Sequence, residues 1–141
     1  MMQSAVSPKI IQAYRETEYA VLGDSNFIIN IDHFNGALLA AHKHYSVDCS
    51  AVITAVNPYS QDCNPAHNSK LNQRLSDELR ASGLSFIDAI GQHPLGTWPG
   101  ENSFFVLGLT LKAAKIVGVR HRQNAIIWCG QNAVPQLIML K

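Results

Sequence analysis

Apolar residues recur along this chain in two rhythms, and the rhythm changes where glycine, proline and asparagine cluster. Ser7-Pro8 reads as a helix start, with serine as the cap and proline at the first helical position. Ile10, Ile11 and Tyr14 follow at helical spacing and predict a short helix to about Thr17. Tyr19 to Leu22 and Phe27 to Ile31 are β-rich, and Gly23-Asp24-Ser25-Asn26 between them signals a hairpin. Asn35-Gly36 opens a second helix, Ala37 to about Tyr45, with Leu38, Leu39 and His42 in its apolar half. Ala51 to Val56 is a short continuous apolar run, the pattern of a strand buried on both faces. A long helix comes next: Asn64 caps it, Pro65 takes its first position and Gly83 ends it, with Leu71, Leu75 and Leu79 as the core stripe. Leu84 to Ile90 and Ser103 to Leu109 then read as strands. A helix from Thr110 to Val117 ends at Gly118, and Asn124 to Trp128 and Gln136 to Leu140 form a closing strand pair.

These elements predict an α+β fold. A single compact domain over residues 1–141 is expected, with a mixed β-sheet of about six or seven strands packed against three to four helices. One connection breaks the rhythm. Gly91 to Asn102 contains Gly91, Pro94, Gly96, Pro99 and Gly100 and has no regular period, and irregular loops of that length tend to be either functional or mobile.

Composition narrows the function classes. Only 15% of residues are charged, against a usual quarter, and the polarity is carried instead by ten Asn and eight Gln. A net charge of +1 lacks the basic excess of a nucleic-acid binder, so that partner is disfavoured. No apolar stretch approaches the roughly 20 residues that cross a bilayer, so no membrane partner is expected. Met1 to Lys9 has no basic segment followed by an apolar run, which predicts no secretory leader. Cys49, Cys63 and Cys129 are odd in number and widely spaced, as suits reduced thiols in a cytoplasm.

Three constellations are candidates for chemistry. Asn57 lies just beyond the buried strand, and Asn68 and Asn72 lie on the sheet side of the next helix; amides there either orient a polar ligand or tie loop backbone together. The long loop holds His93, Trp98 and Glu101. His93 and Glu101 form an acid–base pair if the fold brings them together, and Trp98 would wall a site; otherwise the two are solvated and Trp98 pins the loop. Lys112, Lys115, Arg120, His121 and Arg122 flank Gly118, where cations oppose a helix dipole by default, while Arg122 and Gln123 lead into a strand and could meet an anion. Metal ligation is not expected. His42 and His44 sit roughly 200° apart on a helix, and Cys63 and His67 lack a second pair at zinc spacing. No Gly-rich phosphate loop, G-x-S-x-G or H-E-x-x-H is present, so no cofactor is expected.

Several segments together resemble a known family. Ala13-Tyr14-Arg15-Glu16-Thr17-Glu18-Tyr19, Thr54-Ala55-Val56-Asn57-Pro58, Asn68 with its following leucines, Trp98 to Gly108 with Glu101 and Ser103, and Gln123-Asn124-Ala125-Ile126 are similar in order to domain-of-unknown-function family 3293. The resemblance implies a bacterial, cytosolic single domain and supplies no reaction. The expectation is a domain that binds a polar or nucleotide-like small molecule in a cleft. Asn57, Asn68, Asn72, Trp98, Arg122 and Gln123 would hold the ligand, and Glu101 or His93 would be the acid or base of any hydrolysis or group transfer. The competing class is a protein-binding module, such as a toxin-neutralising or regulatory partner, in which surface aromatics mark an interface.

Overall fold

Each helix begins where the sequence caps it in the structure, a computed structural model that describes residues 5–23, 26–96 and 99–141. Four α-helices occur among the described residues: α1 Pro8–Glu16, α2 Gly36–His44, α3 Pro65–Ala81 and α4 Leu111–Arg120. Their caps are Ser7, Asn35, Asn64 and Thr110, whose side-chain oxygens accept from Ile10, Leu38, His67 and Ala113 N–H at 3.3, 3.0, 2.8 and 3.2 Å. Such caps satisfy orphan donors at helix starts, each for about 1 kcal/mol. Gly83, with φ +75°, ends α3 as expected.

Among the described residues seven strands form one sheet: β1 Glu18–Val21, β2 Phe27–Ile29, β3 Ser50–Ile53, β4 Phe86–Gln92, β5 Glu101–Leu107, β6 Ala125–Cys129 and β7 Pro135–Met139, in the order β2-β1-β4-β5-β3-β6-β7. The α+β class and the strand number agree with expectation. The sheet is antiparallel throughout rather than mixed. The reason is an inserted neighbour. β3 and β4, joined through α3, run in the same direction, but β5 lies between them and pairs antiparallel with both. β3 separates β5 from β6 in the same way.

The sheet curls into a half-barrel. The chain after β2 reaches the start of β7, at the far end of the strand order: Asp32 N–H donates to the Pro135 carbonyl at 2.8 Å and Asn35 N–H to Ala133 at 3.0 Å. On one face α2 covers a core of Val21, Ile29, Leu38, Val52, Phe105, Leu107 and Ile127. On the other, α3 and α4 bury Ala51, Ile53, Leu75, Leu79, Val106 and Ile126. Alternation along β3 feeds both cores, so all four of its residues are buried.

Two expectations need correction. The connection expected over Gly91 to Asn102 is shorter at both ends, because Gly91, Glu101 and Asn102 pair within the β4–β5 ladder and Gln92 pairs with Glu18 of β1. Gly118 does not end α4, which runs on to Arg120. Glycine is needed there for closeness: a Cβ would stand 2.5 Å from Leu140 Cδ1 and 2.8 Å from Ile126 Cγ2. Cys49, Cys63 and Cys129 are free thiols, and no helix among the described residues is long and apolar enough to cross a membrane.

Candidate functional site

Strand alternation builds the site. Along β5 the side chains of Glu101, Ser103, Phe105 and Leu107 share a face; the last two enter the core, while Glu101 and Ser103 line a cavity of about 290 Å³. The ladder register sets Tyr19 of β1 opposite Gly91 of β4, and Gly91 opposite Glu101. The three therefore make one row across three strands. Gly91 is the low point of that row. A Cβ there would meet the Tyr19 ring at 3.1 and 3.2 Å, so the glycine lets the ring lie across β4 beside Glu101. Helix α1 contributes Ile10, Ala13 and Tyr14 to the cavity, although none of its residues is buried, and its C-cap Thr17, which is buried, completes that side. Polar contacts tie it down: Arg15 to Asp32 at 2.9 Å, His93 Nε2 to Glu16 Oε2 at 2.9 Å, and Tyr14 hydroxyl to Ser60.

A left-handed turn brings further polar groups to the rim. Asn57, Tyr59 and Ser60 have φ of 48°, 55° and 62°, and Arg122, whose carbonyl accepts from Tyr59 N–H at 2.8 Å, has φ 57°. Non-glycine residues in this region cost on the order of 1 kcal/mol each and persist where surrounding contacts impose them, often at functional sites. Here the imposing contacts are visible. Asn68 Oδ1 accepts from Asn57 N–H at 2.9 Å, and Asn57 Oδ1 accepts from Cys63 N–H and Asn68 Nδ2, both at 2.9 Å. What remains of Asn57, its Nδ2, donates to Glu101 Oε2 at 2.9 Å.

Glu101 is thus mostly buried with one side-chain hydrogen bond, and its Oε1 has none among the described residues. Burial pushes its carboxyl above the usual range and the charge of Asp62 adds to that, while the Asn57 bond pulls the other way. Burial, reinforced by the charge of Glu101, raises the Tyr19 phenol far above its ordinary value. A wider groove of about 860 Å³, lined by Asn68, Asn72, Arg80 and Phe86 among others, runs between α3 and strands β4 and β5. It meets the cavity where β3 parts from β5, at Asn57, Asp62, Glu101 and Ser103.

The sequence-predicted residues fall into three groups. Asn57, Glu101 and Gln123 line the cavity. Gln123 uses Nε2 on the carbonyls of Val56 at 3.3 Å and His121 at 3.2 Å. Asn68 and Asn72 stand behind the cavity as backbone ties. Asn72 accepts from Ala55 N–H at 2.9 Å and donates to the Asn102 carbonyl at 2.8 Å, holding the diverging end of β3 to β5. His93 and Arg122 are not brought to the cavity. His93 is buried, with Nε2 on Glu16 and Nδ1 accepting from Leu95 N–H at 3.2 Å, and Arg122 is exposed. Trp98 lies outside the described residues. Arg120 and His121 pair with Glu78 of α3, a tie between helices. Sequence reasoning about chemistry passed over Tyr14, Tyr19, Ser60, Asp62, Ser103 and Asn124. The signal was present in part, since Tyr14, Tyr19, Ser103 and Asn124 lie in the segments that carry the family resemblance.

The model of a family described as protein of unknown function, DUF3293, matches residues 53–126, just over half the chain. The chain belongs to that family. The DUF3293 segment supplies Thr54, Asn57, Asp62, Glu101 and Ser103 to the cavity, while α1 and Tyr19 precede it. No curated protein and no solved structure matches the chain. Among the described residues, no group of three or more His, Cys, Asp or Glu is placed to hold a metal ion.

Proposed function

We propose that this DUF3293 protein binds a small polar molecule in the cavity beneath α1, and that Glu101 is the group that engages it. One observation carries the reading: a mostly buried carboxyl, one oxygen of which has no hydrogen bond among the described residues, lines a cavity near the roughly 300 Å³ lower end of small-molecule pockets. The strained turn that delivers Asn57 to that carboxyl supports it. Should the ligand be turned over, Glu101 is placed as the acid or base, since burial brings a carboxyl toward neutral pH. His93 is not proposed for that role, because both its ring nitrogens are engaged elsewhere. A protein-binding role finds its support in Ile116 and Val119, 49% and 59% exposed and three residues apart on α4.

Thermal shift with a panel of nucleobases, amides, amines and sugar phosphates tests the proposal, with Glu101→Gln alongside. A ligand at 100 times its Kd adds about 2.7 kcal/mol, or roughly 5–10 °C at this size. A shift abolished by Glu101→Gln is expected. A shift that survives Glu101→Gln refutes the assignment, and a flat panel with a co-purifying protein bound through α4 favours the interface reading.

A further inference from the structure

We infer that the ligand of the α1 cavity is an organic cation: an ammonium, amidinium or guanidinium group on a small apolar body. The inference rests on the small-molecule reading above and names its ligand class.

The first argument is a donor count. Nearly every donor around the cavity is spent inside the protein. Asn57 Nδ2 goes to Glu101, Gln123 Nε2 to two carbonyls, and Asn124 Nδ2 to Ser60 at 2.9 Å and Tyr14 at 3.3 Å. The hydroxyls of Ser103, Thr54 and Thr17 donate to the carbonyls of Glu101, Asn102 and Ala13 at 3.1, 2.7 and 2.6 Å. An anion or a carbonyl-rich ligand would meet few free side-chain donors, the second N–H of Asn57 Nδ2 and whichever hydroxyl of the Tyr14–Ser60 pair does not donate to the other. The charged capacity left over is for accepting, at Glu101 Oε1 and at the exposed carboxylate of Asp62 on the rim.

The second argument is the missing counter-charge. Glu101 and Asp62 line the cavity, and among the described residues no Lys, Arg or His does. Carboxylates taken out of water are ordinarily paired with a cation, and among the described residues Glu101 has only a neutral amide. A cationic ligand supplies the pairing. Third, the walls suit a cation with an apolar body. The rings of Tyr14 and Tyr19 line the cavity together with Glu101, the missing Cβ of Gly91 makes room for the Tyr19 ring, and Val52, Ile127 and Leu137 add apolar lining.

The test is a titration of the ¹⁵N-labelled protein at pH 7.5 and fixed ionic strength with four matched probes: benzylamine, benzamidine, benzyl alcohol and benzoate. Saturable shifts at the amides of Gly91, Glu101 and Ser103 are expected for both cations. The cations should bind at least roughly tenfold more tightly than the alcohol, the margin of a charge-assisted over a neutral hydrogen bond. Benzoate should leave these amides unmoved. Glu101→Gln should remove that preference while its spectrum keeps native dispersion. Asp62→Asn, an exposed change that does not threaten folding, should weaken the cations by several-fold and leave the alcohol unchanged. Benzyl alcohol or benzoate binding as tightly as the cations, with Glu101→Gln abolishing it, overturns the cation inference and leaves the cavity reading standing. Absence of saturable shifts from either cation overturns the inference. Shifts that are indifferent to Glu101→Gln overturn both.

Discussion

Replacing Glu101 with glutamine should make the ligand-free protein more stable at neutral pH, even as it removes the proposed binding group. The isostere keeps an oxygen for Asn57 Nδ2, which now sits 2.9 Å from Glu101 Oε2, so the strained turn keeps its anchor. What disappears is a charge that burial and Asp62 both disfavour. The folded pKa lies above the unfolded value. Below the unfolded value, near 4.3, the proton is bound in both states and the full contribution to stability is present. As pH rises through the folded pKa that contribution is lost, at about 1.4 kcal/mol for each unit of elevation. Glutamine has no such loss. The advantage of Glu101→Gln over the native chain should therefore grow through this window and level off above the folded pKa. We expect the melting temperatures of the two proteins to diverge across this window and then run parallel. Of the other titratable groups facing the carboxyl, Tyr19 on β1 ionises far above this window, and Asp62 sits in solvent at the rim. Urea and thermal unfolding of both proteins between pH 3.5 and 8 make the measurement. A difference that does not vary with pH, or a variant that loses ground as pH rises, refutes the reasoning. Binding of a cation should strengthen with pH across the same window.

Other consequences follow from packing and hydrogen bonding. Gly118→Ala should destabilise by about 1–2 kcal/mol, although helix propensity alone favours alanine by about 1, because Ile126 and Leu140 leave no room; circular dichroism melts that show a stabilised variant would contradict the packing argument. Asn68→Ala removes two hydrogen bonds to Asn57 and one to the Cys63 carbonyl, which together hold the turn, and should cost roughly 2–3 kcal/mol, visible in urea unfolding; a change under about 0.5 kcal/mol would mean the turn holds itself. His93→Gln should lower the melting temperature by loosening α1 and residues 93–96, yet leave ligand affinity within about threefold. A loss as large as that of Glu101→Gln would instead place His93 in the site.

The chain advertises its elements through local chemistry. Caps such as Asn64-Pro65, the left-handed stop at Gly83 and the apolar run at Ala51 act within a few residues, so pattern alone located four helices and seven strands, with most edges within a few residues. Local chemistry also put Asn68 and Asn72 on the inner side of α3. It did not say what they touch: Asn68 meets Asn57 and Cys63, and Asn72 meets Ala55 and Asn102.

Strand order was beyond local reading. Nothing near β5 states that it inserts between β3 and β4, yet that insertion makes the sheet antiparallel and sets Tyr19, Gly91 and Glu101 in one row. His93 and Glu101, eight residues apart, were natural partners by proximity; the fold sends one to Glu16 and the other to Asn57. Gly118 stood where a helix stop belongs, and only the approach of β6 and the chain end shows that it is there for closeness. Secondary structure follows from interactions a few bonds apart, which a sequence displays directly. A binding site follows from the register between distant strands and from which donors are already satisfied, and both are decided only when the whole sheet closes.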